Sequence, residues 1–174
     1  MTRKYVPVPA PTEPVAQADL DVVKQQLGRT PRGTVAVSAR CVCGNPVVVR
    51  TAPRLPDGTP FPTSYYLTHP GATGAVSTLE TTGAMREWSE ELTQDEELAA
   101  AYKFAHEAYL ADRAELGDVP EVAGISAGGM PTRVKCLHVL VAHTLAVGPG
   151  VNPLGDRAVE MLKPHWSIEV CRCA

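Results

Sequence analysis

Several features that would assign this chain to a familiar functional class are missing from its sequence. No stretch approaches the roughly 20 apolar residues of a membrane-spanning helix, and residues 1–15 lack the apolar core of a signal peptide. The net charge of -3 at pH 7 gives no electrostatic support for general binding to nucleic acid. We therefore expect a cytoplasmic protein whose partners are neither membranes nor nucleic acids.

The common catalytic motifs are also missing. The sequence contains no phosphate-loop pattern GxxxxGK[ST], no spaced GxGxxG and no GxSxG nucleophile elbow. Five cysteines in a cytoplasmic chain do not indicate a disulfide framework. Two pairs, Cys41 with Cys43 and Cys171 with Cys173, are C-x-C pairs rather than the C-x-x-C knuckles of a standard zinc ribbon. The sequence therefore supplies no reaction and no substrate.

Length and composition suit one globular domain, with 174 residues of which 44% are hydrophobic and 20% are charged. Short runs rich in β-branched or aromatic residues predict strands over 34–39, 47–51 and 64–68. The helical spacing of apolar residues predicts helices over 19–27 and 94–116. We therefore predict an α+β fold in which a small antiparallel sheet of short strands packs against a helical C-terminal half.

The composition also predicts how the chain is divided. Residues 1–15 carry four prolines and little periodicity, which predicts a disordered N-terminal tail. A single domain is predicted over 16–163, and a C-terminal tail over 164–174. Within that tail, Cys171 and Cys173 are interpreted as a labile metal or redox pair, or as incidental thiols.

The most strongly patterned stretch is residues 128–156, GGMPTRVKCLHVLVAHTLAVGPGVNPLGD. A proline suits the first turn of a helix and a glycine–proline–glycine run ends it, so we predict a helix over 132–147. At about 100° per residue, Cys136 and His143 fall on one face of this helix, whereas His138 points roughly the other way. The plainer interpretation of Cys136 and His143 is a small buried thiol and a core histidine.

Several pieces of the sequence resemble one known family. The pieces are R-C-x-x-G-x-P-x-V (40–48), P-x-x-x-D-G-x-P-F-P-T (53–63), L-T-x-P (67–70), L-E-x-x-G (79–83) and G-M-P-x-R-V-K-C-L-H-x-L-x-A-H (129–143), followed by N-P-x-G-D. Through them the chain resembles DUF501, a bacterial family of unknown function, over about residues 20–160. The resemblance implies a small intracellular protein of actinobacterial origin, and it implies no particular reaction.

The leading hypothesis is a zinc site shared between a turn, a strand end and the central helix. Its expected ligands are Cys41 (turn 40–46), His69 (strand end 67–70), and Cys136 and His143 (helix 133–147), with Cys43 and His138 in reserve. Two thiolates and two imidazoles form a tetrahedral zinc set. The family resemblance implies cysteine at the position of His69, and a zinc site tolerates that exchange. An iron–sulfur cluster is the less favoured cofactor because of the histidine ligands.

A second hypothesis is an enzyme with a cysteine nucleophile and no metal. Such an enzyme needs a thiol, an imidazole base beside it and a carboxylate that orients the base. The candidates for these three roles are, in order, Cys136 or Cys41, His138 or His143, and Glu80 or Asp156. Arg133 and Lys135, near the predicted helix start, would bind a small anionic substrate or, equally, form a solvated helix edge.

A third hypothesis is an interaction or regulatory module that binds a protein partner. Phe61, Tyr65 and Tyr66 could form a docking surface, or they could fill the core beneath a proline-rich loop. The family resemblance implies a link between such a module and cell division, or polyphosphate or nucleotide metabolism. The sequence leaves the oligomeric state open.

Overall fold

The computed structural model describes residues 3–173, and within that range helices and a small sheet form an α+β arrangement. The predicted fold class is therefore confirmed. In chain order the elements are α1 (Gln17–Leu27), β1 (Thr34–Arg40), β2 (Pro46–Thr51), β3 (Tyr65–Leu67), α2 (Pro70–Glu80), α3 (Ala84–Gln94), α4 (Glu96–Ala114), a 3₁₀ turn (Pro120–Val122), α5 (Leu137–Val147) and α6 (Pro153–Leu162). Each helix among residues 3–173 falls short of the length or apolar content that crossing a bilayer would require.

The sheet is a three-stranded antiparallel meander in the order β1-β2-β3. Val49 of β2 lies opposite Val37 of β1 on one side and Tyr66 of β3 on the other. Helix α5 contacts all three strands and α1 contacts β2. Because it is covered in this way, β2 is buried at all six positions and supports the turn that joins it to β1.

Helix α5 begins at Leu137, so the predicted start near residue 132 is wrong. The glycine pair ahead of it has positive φ angles, 69° at Gly128 and 95° at Gly129. The Gly128 carbonyl accepts the N–H groups of both Lys135 and Cys136, at 2.7 and 3.3 Å. These hydrogen bonds close a loop, and the intervening residues are therefore not helical. Cys136 becomes the N-cap of α5 instead of a residue on its face.

The N-terminal segment, predicted as a disordered tail, contacts α4 and the sheet over part of its described length. Tyr5 Oη and the Val8 N–H both donate to the buried Asp112 carboxylate, each at 2.8 Å. The buried Arg50 guanidinium donates to the carbonyls of Val8 at 2.9 Å and Pro9 at 2.6 Å. Residues 1 and 2 of the predicted tail, and residue 174 of the C-terminal tail, lie outside the described residues.

Replacing Tyr5 with phenylalanine tests the contact between this segment and the core. We expect Tyr5→Phe to lower the free energy of unfolding by about 1–2 kcal/mol, because a hydrogen bond to a buried carboxylate is lost. Tyr66→Phe, at a half-buried tyrosine, is the matched control and should change it by less than about 0.5 kcal/mol. Urea denaturation measures both, and equal effects of the two variants would contradict the contact.

Candidate metal centre

The turn between β1 and β2 places two thiols together. The Cys41 N–H donates to the Asn45 carbonyl at 2.8 Å, and the Gly44 N–H donates to the Cys41 carbonyl at 2.8 Å. Gly44 has a φ of 96°, in the region that favours glycine, so the chain can reverse within a few residues. Cys41 is buried and Cys43 is exposed. The turn thus presents one thiol from the core and one from the surface.

The C-terminal segment brings the second pair of thiols to this turn. Trp166 is buried, and the Val42 N–H donates to the Ile168 carbonyl at 3.1 Å, which holds the segment beside the turn. The Sγ atoms of Cys43 and Cys173 are 3.6 Å apart. The Sγ atoms of all four cysteines, Cys41, Cys43, Cys171 and Cys173, lie within 4.8 Å of one another.

This geometry fits one tetrahedral metal ion. A zinc–sulfur bond of about 2.3 Å in tetrahedral geometry separates neighbouring sulfurs by roughly 3.8 Å. The Cys43–Cys173 separation of 3.6 Å is close to that value and well above the length of a disulfide bond. All four cysteines are free thiols, so each can supply a thiolate ligand.

His69 lies beside the four-cysteine cluster and fixes one of its sulfurs. It is the N-cap of α2, and its Nδ1 accepts the N–H groups of Gly71 and Ala72 at 3.0 and 3.3 Å. Burial lowers the pKa of His69, which favours the neutral ring. A neutral ring that accepts at Nδ1 carries its proton on Nε2, and Nε2 lies 3.0 Å from Cys173 Sγ. His69 therefore donates to the Cys173 sulfur and supports the cluster from outside the ligand set.

The thiols of the cluster do not all ionise easily by themselves. The backbone N–H of Asn45 lowers the pKa of Cys43 to about 7. Burial, together with the hydrogen-bonding contact to Cys43, raises the pKa of Cys173 to about 12. Four thiolates packed this closely repel one another, and a divalent cation is the partner that lets all of them ionise. The cluster is therefore suited to a metal ion.

The four residues expected to form one zinc site do not all come together. Cys41 belongs to the four-cysteine cluster and His69 lies beside it. Cys136 lies at the start of α5, and His143 is fully buried further along that helix. The helical-face argument that paired Cys136 with His143 assumed a helix beginning near residue 132, which the structure does not have. Of the two reserve ligands, Cys43 joins the cluster.

His143 is buried in the core between two tyrosine rings. Its ring stacks on Tyr65 at 5.9 Å between centroids and meets Tyr109 edge-on at 5.1 Å. Its Nδ1 lies 3.2 Å from Asn152 Nδ2. Burial lowers the pKa of His143 to about 3. This is the environment of the core histidine that the plainer interpretation describes.

The burial of His143 predicts a pH-dependent stability. Its pKa in the folded protein, about 3, is below the ordinary value of 6.5, so the unfolded chain binds the proton more readily. This contribution is therefore fully present above pH 6.5 and is lost as the pH falls below it. We expect the free energy of unfolding to fall by about 2 kcal/mol as the pH is lowered from 7 to 5, because the unfolded chain takes up a proton at His143 that the folded protein excludes.

Denaturation in the presence of a chelator measures this loss without proton-linked release of metal. His143→Gln should lower the number of protons taken up on unfolding by one and so flatten the dependence of stability on pH. His165→Gln, at an exposed histidine, should leave the slope caused by His143 unchanged. An unchanged slope in His143→Gln would contradict the assignment.

A second group of candidate residues meets at the start of α5. The carboxylate of Glu80, the thiol of Cys136 and the imidazole of His138 lie within 4.8 Å of one another. The nucleophile hypothesis named Cys136 as a candidate nucleophile, His138 as a candidate base and Glu80 as a candidate orienting carboxylate. The alternative carboxylate, Asp156, instead accepts from Thr144 Oγ1 at 3.0 Å and from the Gly150 N–H at 2.8 Å, so it joins α5 to α6.

Arg133 and Lys135, the candidates for anion binding, are both exposed. They lie in the loop before α5, and the N-cap residue separates them from its first turn. Binding of an anion there stays a prediction.

Sequence reasoning did not join the two C-x-C pairs into one ligand set. The available signal was the repetition itself: a C-x-C pair after the first strand and another at the C-terminal end. The missing information was that the C-terminal segment returns to the first turn. That return depends on the burial of Trp166 and on the backbone hydrogen bond from Val42 to Ile168.

The fold and the cluster define a small α+β protein with four cysteines arranged as a candidate metal site. The model of the DUF501 family, described as a protein family of unknown function, matches residues 37–160, and the chain belongs to this family. Neither a curated protein nor a solved structure matches the chain. The matched residues include Cys41 and Cys43 and end before Cys171 and Cys173.

Proposed function

We propose that this protein binds one zinc ion through Cys41, Cys43, Cys171 and Cys173. The observation that carries the proposal is the approach of four sulfur atoms within 4.8 Å of one another, from two C-x-C pairs at distant positions in the sequence. Tetrahedral coordination by four thiolates is a common structural zinc site. The zinc set expected from the sequence, Cys41 with His69, Cys136 and His143, has no comparable support from distances.

A single zinc ion suits the cluster better than an iron–sulfur cluster. A polynuclear cluster places its iron and inorganic sulfide atoms between the cysteine sulfurs and therefore holds those sulfurs further apart. Sulfurs that all lie within 4.8 Å of one another suit coordination to one shared ion. Zinc favours tetrahedral thiolate ligands and carries no redox chemistry that would threaten partly exposed cysteines.

The proposed role of the zinc ion is structural. Four protein ligands fill the tetrahedral shell, whereas a hydrolytic zinc site keeps one position for water. The ion would link the turn after β1 to the C-terminal segment. The neighbouring His69 would hold that link against α2 by capping the helix with Nδ1 and donating to Cys173 with Nε2. Metal binding would then contribute directly to the stability of the fold.

Substitution with cobalt tests the ligand set directly. Metal-free protein titrated with Co²⁺ should give the strong thiolate-to-cobalt absorption and the visible bands of a tetrahedral four-thiolate site, complete at one equivalent. Cys43→Ser and Cys173→Ser should each weaken and shift these bands, and Cys136→Ser is the matched control that should leave them unchanged. Bands lost in Cys136→Ser but kept in Cys173→Ser would contradict the proposed ligands.

A further inference from the structure

A thiol, an imidazole and a carboxylate that are not among the proposed zinc ligands meet at the N-terminus of α5. Glu80 is the last residue of α2, Cys136 is the N-cap of α5, and His138 lies in the first turn of α5. Glu80 Oε1 accepts the Leu137 N–H at 2.8 Å and lies 3.0 Å from His138 Nδ1. The carboxylate therefore fixes both the helix start and the orientation of the imidazole ring.

Cys136 and His138 both line a cavity of about 490 Å³. Its other walls come from α1, the start of α2, α5, β3 and the residues beside it, and include Gln26, Tyr66, Thr68 and Thr73. None of the described residues that line it carries a carboxylate, ammonium or guanidinium group. Apart from Cys136 and His138, the cavity offers hydroxyl and amide groups among apolar side chains, which suits an uncharged ligand better than the small anionic substrate considered from the sequence.

The surroundings of Cys136 favour the ionised thiol. Burial raises the pKa of Cys136, but the neighbouring His138 imidazole and the backbone N–H of Val139 lower it by a larger amount, so the net change is downward. The contact with Cys136 raises the pKa of His138 to about 9 against the effect of burial, and Glu80 adds to that rise. The partial positive charge of a helix N-terminus acts in the same direction on a thiolate. The contact between the two residues therefore favours the thiolate at Cys136 and the protonated imidazole at His138.

We propose that Cys136 is a nucleophile that accepts an acyl group from an uncharged ester or thioester bound in this cavity, with His138 as the proton donor and acceptor. Glu80 is a positioning residue that holds the imidazole. The assignment rests on the three side chains meeting beside one cavity, and it does not depend on zinc at the four-cysteine cluster.

The proposed reaction is a two-step hydrolysis. In the first step the Cys136 thiolate attacks the carbonyl carbon, a C–S bond forms and the bond to the alcohol or thiol leaving group breaks. The His138 imidazolium gives its proton to that leaving group. In the second step a water molecule gives a proton to His138 and attacks the acyl-enzyme. The C–S bond then breaks, the carboxylic acid leaves and the thiolate–imidazolium pair is restored.

Two other interpretations make different predictions. Cys136 and the Glu80–His138 contact could simply cap and brace α5, in which case the thiol would react like an ordinary one. Alternatively the three side chains could bind a second zinc ion, in which case zinc would protect Cys136 from reagents.

The direct test uses 4-nitrophenyl acetate, an uncharged ester, with the zinc-loaded full chain. We expect an initial release of nitrophenolate equal to one per chain, and mass spectrometry should place one acetyl group on Cys136. Cys136→Ser should abolish both signals. Acetylation spread over lysines and other cysteines, with no loss in Cys136→Ser, would overturn the proposal.

The rate of alkylation by iodoacetamide, followed by peptide mapping across pH, tests the roles of the other two residues. At pH 7 we expect His138→Gln and Glu80→Gln to slow alkylation of Cys136 by on the order of tenfold, and to move the rate profile to higher pH. Glu80→Gln retains an oxygen that can accept the Leu137 N–H, and thermal melting checks that both variants fold.

Glu91→Gln is the matched control for Glu80→Gln, because Glu91 pairs with Arg157 on the α3–α6 side of the protein. Its alkylation profile at Cys136 should equal that of the unaltered protein. An unchanged profile in both His138→Gln and Glu80→Gln would show that the three residues only stabilise the start of α5, and would contradict the proposed roles of His138 and Glu80. Slower alkylation of Cys136 at more than one equivalent of zinc would identify a second metal site and contradict the assignment of Cys136 as a nucleophile.

Discussion

Zinc at 1,000 times its dissociation constant is expected to raise the free energy of unfolding by up to about 4 kcal/mol, because the ion binds the folded chain more tightly than the unfolded one. The gain would arise because the ion joins the C-terminal segment to the turn after β1 through four cysteine sulfurs that lie within 4.8 Å of one another. Chemical denaturation of metal-free protein, with and without zinc, measures the effect.

The stabilisation should depend on the proposed ligands alone. Cys173→Ser is expected to lose most of the zinc-dependent gain, because it removes a ligand that also receives the His69 hydrogen bond. Cys136→Ser should keep the whole gain, since Cys136 lies in a different cluster. An equal response to zinc in these two variants would contradict the structural role assigned to the ion.

The second large effect is expected at the contact between α5 and α6. Gly155 lies in α6, and a Cβ atom built on it would collide with the Leu140 carbonyl oxygen and the Thr144 hydroxyl of α5. Because backbone is one of the colliding groups, the two helices must separate to admit a methyl group. We expect Gly155→Ala to lower the free energy of unfolding by about 3 kcal/mol.

Gly74→Ala is the matched control for this substitution. Gly74 also lies within a helix, α2, and a Cβ atom there would have no neighbour within 4 Å. Alanine restricts the unfolded chain and favours the helix, so Gly74→Ala should stabilise the protein by about 0.5–1 kcal/mol. Thermal or urea unfolding of the two variants should therefore give shifts of opposite sign. A destabilised Gly74→Ala beside a neutral Gly155→Ala would refute the helix packing described here.

The α+β fold could be predicted because its main signals are local. The β-branched residues of Thr34–Arg40 and Pro46–Thr51 indicate strands without reference to the rest of the chain. The start of α5 could not be predicted in the same way, because residues 132–136 have acceptable helical spacing. Only the positive φ angles of Gly128 and Gly129, and the hydrogen bonds that close their loop, exclude those residues from the helix.

The candidate sites show the same division between local and long-range information. Sequence reasoning selected Cys41 and considered Cys136, His138 and Glu80 for separate roles, because residue type alone suggests their chemistry. It paired Cys136 with His143 on the strength of an ideal helix, and this pairing failed once Cys136 became the N-cap of α5. Glu80 was one of two carboxylates considered beside Cys136 and His138, and only the tertiary structure selects it. Cys173, which meets Cys43 at 3.6 Å, was not identified as a partner at all.

The central claim is that the two C-x-C pairs share one zinc ion. The most direct measurement is the metal content of untagged protein purified without a chelator, determined by inductively coupled plasma mass spectrometry together with that of Cys173→Ser and Cys136→Ser. The account predicts one zinc per chain in the unaltered protein and in Cys136→Ser, and less than about a tenth of that in Cys173→Ser, which loses both a ligand and its hydrogen-bond support. Zinc retained in Cys173→Ser and lost from Cys136→Ser would contradict it.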